Sequence, residues 1–167
     1  MFKVYTDGSV SGNPGPAAYG YVVLSEEEEV LHEAVGTWKR STNQRAEIQA
    51  IVSALQWING LTQDLKHPLR VTVYSDSQYA IKCLSEWWPK WKRQGWVRRV
   101  RGKAWPVKNL DLIKAGVAAQ RPHKVAFQWV KGHNGDRWNE HVDRMVGAAA
   151  LRAVHLGIVD AGYQEAE

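Results

Sequence analysis

The stretch FKVYTDGS, residues 2–9, alternates apolar and polar residues and is rich in residues that favour β-strands. It predicts a first strand in which Asp7 lies near the end, just before a turn rich in Gly and Pro. Residues 18–24 and 30–38 have the same β-forming character, and only the acidic turn 25–29 separates them. Because short connections favour antiparallel pairing, these three segments predict a β-meander.

The rest of the chain alternates between segments that favour helices and segments that favour strands. Residues 42–59 place apolar side chains at helical spacing, and either Thr42 or Asn43 suits the N-cap. The remaining predicted elements are strands at 70–75 and 124–130, helices at 77–88, 110–120 and 136–155, and a loop at 131–135. Because helical crossovers join parallel strands, the sequence predicts an α/β fold: a mixed five-stranded sheet, three strands antiparallel and two parallel, flanked by helices.

The composition excludes several classes of protein. The chain has 167 residues, of which 44% are hydrophobic and 23% charged, as expected for one globular domain. The single cysteine, Cys83, cannot form an internal disulfide or a thiolate metal cluster. No apolar run approaches the roughly 20 residues of a membrane helix, and the N-terminus lacks the apolar core of a signal peptide. We expect a cytoplasmic protein without a membrane partner, with a domain at 1–155 and a short, polar, loose tail at 156–167.

Positive charge is concentrated in residues 87–108. The chain has 22 Lys and Arg against 17 Asp and Glu, a net charge of +5, and eight of the basic residues lie in this segment, which has no acid. The same segment holds five of the nine tryptophans. Basic side chains interleaved with aromatic ones favour contact with the phosphates and bases of a nucleic acid. The alternative is a solvated basic face whose tryptophans, above all Trp88 and Trp105, pack the root of the segment.

Four acids lie near the ends of different predicted elements: Asp7, Glu47, Asp76 and Asp143. Each has an ordinary explanation alone, respectively an Asx-turn, a favourable interaction with a helix dipole, an N-cap and a solvated salt bridge. Together they could converge at one edge of the sheet, where like charges share a site only with cations. Oxygen ligands select hard ions such as Mg²⁺ or Mn²⁺. A carboxylate cluster beside a nucleic-acid surface indicates two-metal phosphodiester chemistry.

Several blocks of the sequence closely resemble type 1 ribonuclease H, and all four acids fall in register with that family. The blocks are YTDGS (5–9), GNPGP (12–16), TNQRAE (42–47), SDSQY (75–79), PVKN (106–109) and WVKGH (129–133), followed by Asn139, Glu140 and Asp143. The resemblance implies a ribonuclease H-like fold, and it implies endonucleolytic cleavage of the RNA strand of an RNA–DNA hybrid. It also implies 3′-hydroxyl and 5′-phosphate ends and little sequence preference.

The resemblance implies a shared role for the four acids. Asp7, Glu47, Asp76 and Asp143 look like the ligands of two Mg²⁺ ions, for which Mn²⁺ could substitute. In the family one ion activates the attacking water and the other stabilises the leaving 3′-oxygen, in keeping with general two-metal chemistry.

Two further residues near the acids have open interpretations. His133 matches the family's mobile-loop histidine, which is credited with proton handling or product release; a histidine that is merely on the surface of a flexible loop is the alternative. Glu140 matches a position near the metals, and an i,i+4 pair with Arg144 is the alternative. Trp138 departs from the family pattern at the junction between this loop and the next helix, and it could alter how His133 moves.

Discrimination between RNA and DNA requires contact with 2′-hydroxyls from the minor groove. The resemblance assigns that contact to four amide side chains, which can both donate and accept hydrogen bonds, and to two backbone positions. These residues are Asn13, Asn43, Gln44 and Gln78, with the backbone of Gly8 and Ser9. Asn13 and Asn43 can serve in a turn and a helix cap at the same time.

The resemblance also implies how the DNA strand is held. One phosphate would sit in a pocket, and the basic segment 87–108 would form a helical protrusion whose tryptophans flank the strand and whose cations bind phosphates. The residues concerned are Arg40, Thr42 and Asn109 in the pocket, and Trp87, Trp91, Lys92 and Arg93 in the protrusion.

Two functions from other classes stay open at the level of sequence. One is a module that binds hybrid or duplex RNA without catalysis, against which the complete acid set and His133 argue. The other is a different nuclease of the same fold, such as a proofreading exonuclease or an integrase-like strand transferase. Exonucleases of that kind carry Asp-x-Glu in the first strand, where this chain has Asp7-Gly8-Ser9. The resemblance favours a monomer whose partner is the hybrid itself.

Overall fold

The computed structural model describes residues 1–165 and arranges them as a sheet with helices packed on its two faces. Its elements, in chain order, are β1 (Phe2–Val10), β2 (Gly15–Leu24), β3 (Val30–Ser41), α1 (Asn43–Leu61), β4 (Arg70–Ser75), α2 (Gln78–Lys82), α3 (Trp88–Arg93), β5 (Val97–Val100), β6 (Lys103–Pro106), α4 (Leu110–Gln120), β7 (Lys124–Trp129), α5 (Arg137–Ala150) and α6 (Ala153–Leu156). The main sheet has the strand order β3-β2-β1-β4-β7. The first three strands are antiparallel and the last two parallel, which confirms the predicted mixed sheet. Among residues 1–165, no helix is long and apolar enough to cross a membrane.

The register of the central strands decides where the acids lie. β1 and β4 run parallel with Tyr5 opposite Tyr74, and the two rings stack with their centroids 4.5 Å apart. Asp7 and Asp76 each follow two residues later along the chain. Because parallel strands end at the same edge of a sheet, both carboxylates come to that edge.

The two faces of the sheet are covered by different helices. On one face Ile51 and Leu55 of α1 pack with Val4 of β1, and on the other Val142 of α5 packs with Tyr5. Successive strand residues point to opposite faces, which explains why Val4 and Tyr5 belong to different clusters. The edge that receives the acids therefore lies between α1 and α5.

The predicted helix at 77–88 extends further than expected, through one wider turn. After α2, residues Cys83–Trp87 form a π-helical turn, and α3 then begins with Pro89 in its first turn. Proline has no N–H to donate inside a helix and is tolerated at a helix start. Pro89 therefore lies where a new helix begins, and the chain continues as α3 to Arg93.

The basic segment is helical only in its first half. After α3, β5 and β6 pair as an antiparallel hairpin, so the helical protrusion that the resemblance implied is wrong for residues 97–106. Arg101 and Gly102 between the two strands have φ values of +51° and +80°. Two consecutive residues with positive φ are typical of the turns that match the twist of a β-hairpin.

The C-terminal segment is also more ordered than the sequence predicted. The helix expected at 136–155 ends at Ala150, and a short α6 follows. Beyond α6, the Ile158 N–H donates to the Thr37 carbonyl, and the Ile158 carbonyl accepts from the Lys39 N–H. The expectation of a loose tail is wrong around Ile158, because this segment adds backbone hydrogen bonds along the edge of β3. The last two residues of the predicted tail, 166 and 167, lie outside the described residues.

Candidate active site

Three carboxylates from three elements meet at the edge of the sheet. Asp7 on β1, Glu47 on α1 and Asp76 after β4 each place one oxygen within 4.8 Å of the others. Asp7 and Glu47 are buried, with 3% and 4% of their surfaces exposed, and Asp76 is partly buried. The predicted convergence of these three acids is therefore present in the structure.

Gly8 allows Glu47 to reach this edge. A Cβ at position 8 would lie 2.6 Å from the Glu47 backbone nitrogen and 2.7 Å from the Ala46 carbonyl carbon. Only glycine therefore lets the first turns of α1 lie against the end of β1. The Gly8 N–H also donates to Glu47 Oε1 at 3.0 Å, which fixes that carboxylate.

The electrostatics of the cluster fit a bound cation. Burial raises the pKa of the Asp7 carboxyl, and the neighbouring charges of Glu47 and Asp76 raise it further. Burial likewise raises the pKa of Glu47. Among the described residues, Asp7 Oδ2 and Glu47 Oε2 are buried without any hydrogen-bond partner. Buried carboxylate oxygens without partners are costly, and an all-oxygen set of this kind suits a hard divalent ion.

Asp143 flanks the cluster without being part of it. It lies on α5 with 40% of its side chain exposed, and its proximity is one of the causes that raise the pKa of the Asp7 carboxyl. His133 Nδ1 lies 3.9 Å from Asp143 Oδ2, and the His133 side chain is 81% exposed. The structure thus places the fourth acid beside Asp7 and the loop histidine beside the fourth acid.

Glu140 holds the His133 loop and does not pair with Arg144. Its Oε1 accepts a hydrogen bond from the Gly135 N–H at 3.2 Å. Asp136 caps α5 by accepting from the N–H groups of Trp138 and Asn139. The C-terminal end of the loop that carries His133 is therefore attached to the start of α5.

Two residues near Asp76 were given no role in the sequence analysis. Asn139 is buried, and its side chain opposes the rise in the Asp76 pKa that burial causes. Trp129 Nε1 donates to the Asp76 carbonyl at 3.1 Å. Both lie in blocks that resemble the family, but the chain gives no local signal that they contact Asp76.

The candidate RNA-contacting residues lie beside the cluster and are tied to one another. Asn13 Oδ1 accepts from the Asn43 N–H at 3.1 Å, which joins the β1–β2 turn to the start of α1. Gln44 Oε1 accepts from Asn109 Nδ2 at 3.5 Å. Gln78 is the first residue of α2, next to the turn that carries Asp76. Ser9 follows Gly8 on β1, so these residues surround the acids on the β1, α1 and α2 sides.

The candidate phosphate pocket lies where β3, α1 and α4 begin or end. Arg40 is near the end of β3, and Thr42 caps α1 by accepting from the Arg45 N–H. Asn109 precedes α4 with a φ of +61° and donates from Nδ2 to the Tyr79 hydroxyl at 3.0 Å. Through its contacts with Gln44 and Tyr79, Asn109 connects this pocket to the basic segment 87–108.

The basic segment forms a groove of about 890 Å³ beside this pocket. The rings of Trp87 and Trp91 lie within it with their centroids 5.8 Å apart. Arg93 lines the groove, whereas Lys92 is exposed on α3 and does not. The groove is also lined by Lys90, Arg98 and Arg99, which belong to the basic segment predicted to bind phosphates, and by Glu86, Gln94 and Val97, which were given no role.

Comparison with known proteins identifies the family. Residues 1–151 match the family model for RNase H. The chain is 41% identical over 151 residues to a ribonuclease H of Novosphingobium aromaticivorans, covering 90% of this chain and 97% of that protein. Among solved structures, LC9-RNase H1, a type 1 RNase H with the type 2 active-site motif, is 27% identical with a TM-score of 0.75, covering 97% of this chain and 78% of that one. LC11-RNase H1 in complex with an RNA/DNA hybrid shares the fold at 24% identity and a TM-score of 0.64, covering 89% of this chain and 99% of that one. The chain therefore belongs to the type 1 ribonuclease H family and is an endoribonuclease.

Proposed function

We propose that this protein cuts the RNA strand of RNA–DNA hybrids at internal positions and leaves 3′-hydroxyl and 5′-phosphate ends. The observation that carries this proposal is the cluster of Asp7, Glu47 and Asp76, in which two buried oxygens have no partner within residues 1–165. The cluster lies at the sheet edge beside a basic, aromatic groove, and LC11-RNase H1, which has the same fold, was solved with an RNA/DNA hybrid.

Two Mg²⁺ ions are the proposed cofactors, with Mn²⁺ as a substitute. Asp7, Glu47 and Asp76 would hold one ion, and Asp143 would join Asp7 in holding the second. When bound, the ions supply an activated water and charge stabilisation at the leaving 3′-oxygen. The protein's own contribution is to bring these acids together and to fix Glu47 through the Gly8 N–H.

His133 is proposed to move a proton between the site and solvent. Its imidazole is exposed and lies beside Asp143, so it can exchange protons with water and still approach the acids. Glu140 keeps the loop attached to α5 through the Gly135 N–H. We assign Glu140 this supporting role near the metals.

The two strands of the hybrid are proposed to contact different surfaces. Hydrogen bonds to 2′-hydroxyls of the RNA strand would come from the amides and backbone groups beside the acids, and the DNA strand would lie on the phosphate pocket and the basic groove. The RNA-contacting residues are Gly8, Ser9, Asn13, Asn43, Gln44 and Gln78. The DNA-contacting residues are Arg40, Thr42, Asn109, Trp87, Trp91, Lys92 and Arg93.

We also propose that the protein acts as a monomer in the cytoplasm. Every residue assigned above belongs to one chain, so the site needs no second copy. Sedimentation of the free protein and of its complex with a short hybrid tests the oligomeric state.

Cleavage of an end-labelled RNA–DNA hybrid tests the reaction. The assay compares Mg²⁺ with excess EDTA and includes matched RNA–RNA and DNA–DNA duplexes. We expect internal cuts in the RNA strand of the hybrid alone, abolished by EDTA and unaffected by a blocked 3′ end. Hybrid binding without cleavage in Mg²⁺ or Mn²⁺ would contradict the proposal, and dependence on a free 3′ end would indicate an exonuclease.

A further inference from the structure

The backbone at Asp76 has an unusual attachment. The ladder between β4 and β7 ends where the Val130 N–H donates to the Ser75 carbonyl, and the first helical bond of α2 is accepted by Ser77. The Asp76 carbonyl lies between these two acceptors in sequence and takes part neither in the strand ladder nor in the helix. Within residues 1–165, the hydrogen bond that holds this carbonyl comes from Trp129 Nε1 at 3.1 Å.

Gly132 approaches the same residue from the other side. A Cβ at Gly132 would lie 2.8 Å from Asp76 Oδ2 and 3.5 Å from Asp76 Cγ. The backbone of the His133 loop therefore packs directly against the carboxylate. Trp129 at the end of β7 and Gly132 three residues later contact Asp76 at its carbonyl and at its carboxylate, respectively.

We propose that Trp129 and Gly132 are positioning residues that set the orientation of Asp76 as a metal ligand and couple it to the His133 loop. Trp129 holds the carbonyl of Asp76 and so fixes the orientation of the peptide group between Asp76 and Ser77. Gly132, which has no side chain, leaves the space into which the Asp76 carboxylate points. A displacement of the loop thus displaces Asp76. This inference rests on the proposed function only in requiring that Asp76 binds the metal.

Replacement of Trp129 by Phe tests the proposal because it keeps an aromatic ring and removes the N–H. We expect Mn²⁺ affinity of the metal-free protein, measured by calorimetry, to fall roughly tenfold, as is usual for outer partners of metal ligands. In the cleavage assay kcat should fall at fixed Mg²⁺ while KM for the hybrid is unchanged, and higher Mg²⁺ should restore part of the rate. Unchanged Mn²⁺ affinity in a folded Trp129→Phe protein would overturn the proposal.

Matched variants separate this effect from general damage. Trp105→Phe makes the same change at another exposed tryptophan, remote from Asp76 in sequence and on the β5–β6 hairpin, and should leave Mn²⁺ affinity unchanged. Gly132→Ala gives an independent test if Trp129→Phe does not fold, and it too should weaken Mn²⁺ binding. Gly60→Ala adds a methyl group where nothing lies within 4 Å and serves as its control. If Asp76→Asn binds Mn²⁺ as well as the unaltered protein, the proposed metal site fails first.

A second inference concerns Arg40 and depends on different contacts. Arg40, assigned above to a DNA phosphate, forms an ion pair with Glu165 of the C-terminal segment. The Tyr163 hydroxyl donates to the other Glu165 oxygen at 2.9 Å. The two charged side chains are 53% and 58% exposed, so an incoming phosphate can replace the carboxylate.

The segment that carries Glu165 is anchored a few residues earlier. Asp160 is buried, where it accepts hydrogen bonds from Ser41 Oγ at 2.6 Å and from Arg45 Nε at 2.8 Å. The Gly162 N–H donates to Asp160 Oδ1 at 3.1 Å and turns the chain back. Attachment at Asp160 keeps the Glu165 carboxylate at a high local concentration beside Arg40.

We infer that Glu165 is a tethered anionic competitor for the phosphate pocket, which occupies Arg40 until a hybrid displaces it. Carboxylate and phosphate oxygens make the same kind of bond with a guanidinium, so binding of one excludes the other. The inference deepens the proposed function, because it uses the assignment of Arg40 to a DNA phosphate.

Hybrid binding by Glu165→Gln tests this competition. Exposed ion pairs are weak, so we expect Kd for a hybrid to fall about two- to fivefold at low salt, with kcat unchanged at saturation. The gain should disappear in an Arg40→Gln background. Glu27→Gln makes the same charge change in the β2–β3 turn and is the control.

The variants distinguish a wrong assignment of the phosphate pocket from a wrong assignment of Glu165. If Arg40→Gln binds the hybrid as tightly as the unaltered protein, the phosphate pocket is wrongly assigned. If Arg40→Gln weakens binding but Glu165→Gln has no more effect than Glu27→Gln, the pocket stands and the competitor is wrong.

Discussion

Arg45 on α1 and Asp160 in the C-terminal segment form a buried ion pair, with Arg45 Nε 2.8 Å from Asp160 Oδ2. The Arg45 guanidinium also makes two hydrogen bonds of 2.8 Å to Asp111 on α4. Because Thr42 and Asn109 lie at the starts of those two helices, the guanidinium connects the elements that carry the proposed phosphate pocket.

Asp160→Asn is expected to destabilise the fold by about 3 kcal/mol. Removing one partner of a buried pair costs roughly 3 to 5 kcal/mol, and Arg45 keeps Asp111, which places the effect at the lower end. Urea denaturation measures the free energy of unfolding. Glu28→Gln, which breaks the surface pair with Lys3, should cost less than about 1 kcal/mol. Equal costs for the two variants would show that the buried pair does not stabilise this protein.

Asp7→Asn should abolish cleavage and stabilise the metal-free protein. Mutation of a residue that hydrogen-bonds to a metal ligand typically lowers activity roughly 10- to 100-fold, so loss of a ligand itself should lower activity further. Burial raises the pKa of Asp7, so its charged form is disfavoured in the folded state at neutral pH. The free energy of unfolding should therefore rise by at least about 1 kcal/mol.

The same shifts predict how stability depends on pH without metal. An acid whose pKa is raised by folding stabilises the fold below its unfolded pKa, about 4, and this stabilisation is lost as pH rises through the folded value. Metal-free protein should lose stability from acid toward neutral pH, and Mg²⁺ should offset the loss. Asp64→Asn, at an exposed position, is the control for Asp7→Asn. A pH-independent difference between these variants would contradict the prediction.

Neutralising the basic segment should weaken hybrid binding in a salt-dependent way. Replacement of Lys92, Arg93, Arg98 and Arg99 together by Gln should raise KM for the hybrid steeply and change kcat little. The slope of log K against log salt should fall by roughly 0.9 for each phosphate that the protein no longer neutralises. A variant in which Gln replaces Lys66, Arg121 and Lys124, all outside the segment, serves as the comparison. An unchanged slope would mean that the segment does not touch phosphates.

His133→Ala should slow turnover by about 100-fold and keep hybrid binding, because the histidine is placed to handle a proton. Single-turnover rates and hybrid affinity measured on the same preparation distinguish the two effects. His155→Ala, at another exposed histidine, should change neither. Loss of hybrid affinity in His133→Ala would point to a structural role for the loop.

His123 should make the fold sensitive to mild acid. Its Nδ1 accepts the Leu69 N–H at 2.9 Å, and its Nε2 lies 2.8 Å from Thr62 Oγ1, whose own hydrogen is donated to Ile58. Burial lowers the pKa of His123, so its stabilising effect is complete above the unfolded value of about 6.5 and is lost as pH falls through the folded value. Urea unfolding at several pH values should show a smaller acid loss in His123→Asn than in His67→Asn, at an exposed position.

The parts of the fold that the sequence predicted depend on local patterns. Strand alternation and helical crossovers were enough to predict a mixed sheet of three antiparallel and two parallel strands, and thereby that Asp7 and Asp76 could meet at one edge. The β5–β6 hairpin was missed although Arg101-Gly102 is a recognisable turn, because the helical protrusion was taken from the family resemblance and no strand was assigned to this segment. The boundary between a domain at 1–155 and a tail stays a prediction.

Contacts between distant residues could not be predicted from any local pattern. The bond from Arg45 to Asp160 spans 115 residues, and that from Trp129 to Asp76 spans 53. Nothing near Asp160 in sequence indicates a buried partner, so the segment was interpreted as loose. The Glu140 contact is local but was also missed, since helical spacing offered a pair with Arg144 as the alternative and the structure gives Glu140 the Gly135 N–H.

The π-helical turn at Cys83–Trp87 makes the position of the basic groove depend on the length of one helix. A turn of this kind is the equivalent of a single residue inserted into an α-helix. Each helical residue turns the chain by about 100° and advances it by about 1.5 Å. Deleting Ser85 would remove the insertion and rotate α3 by about a quarter turn relative to α2. Trp87 and Trp91, which both follow Ser85, would then turn together away from Tyr79, so the extra residue in this helix sets the direction in which the basic groove faces relative to α2.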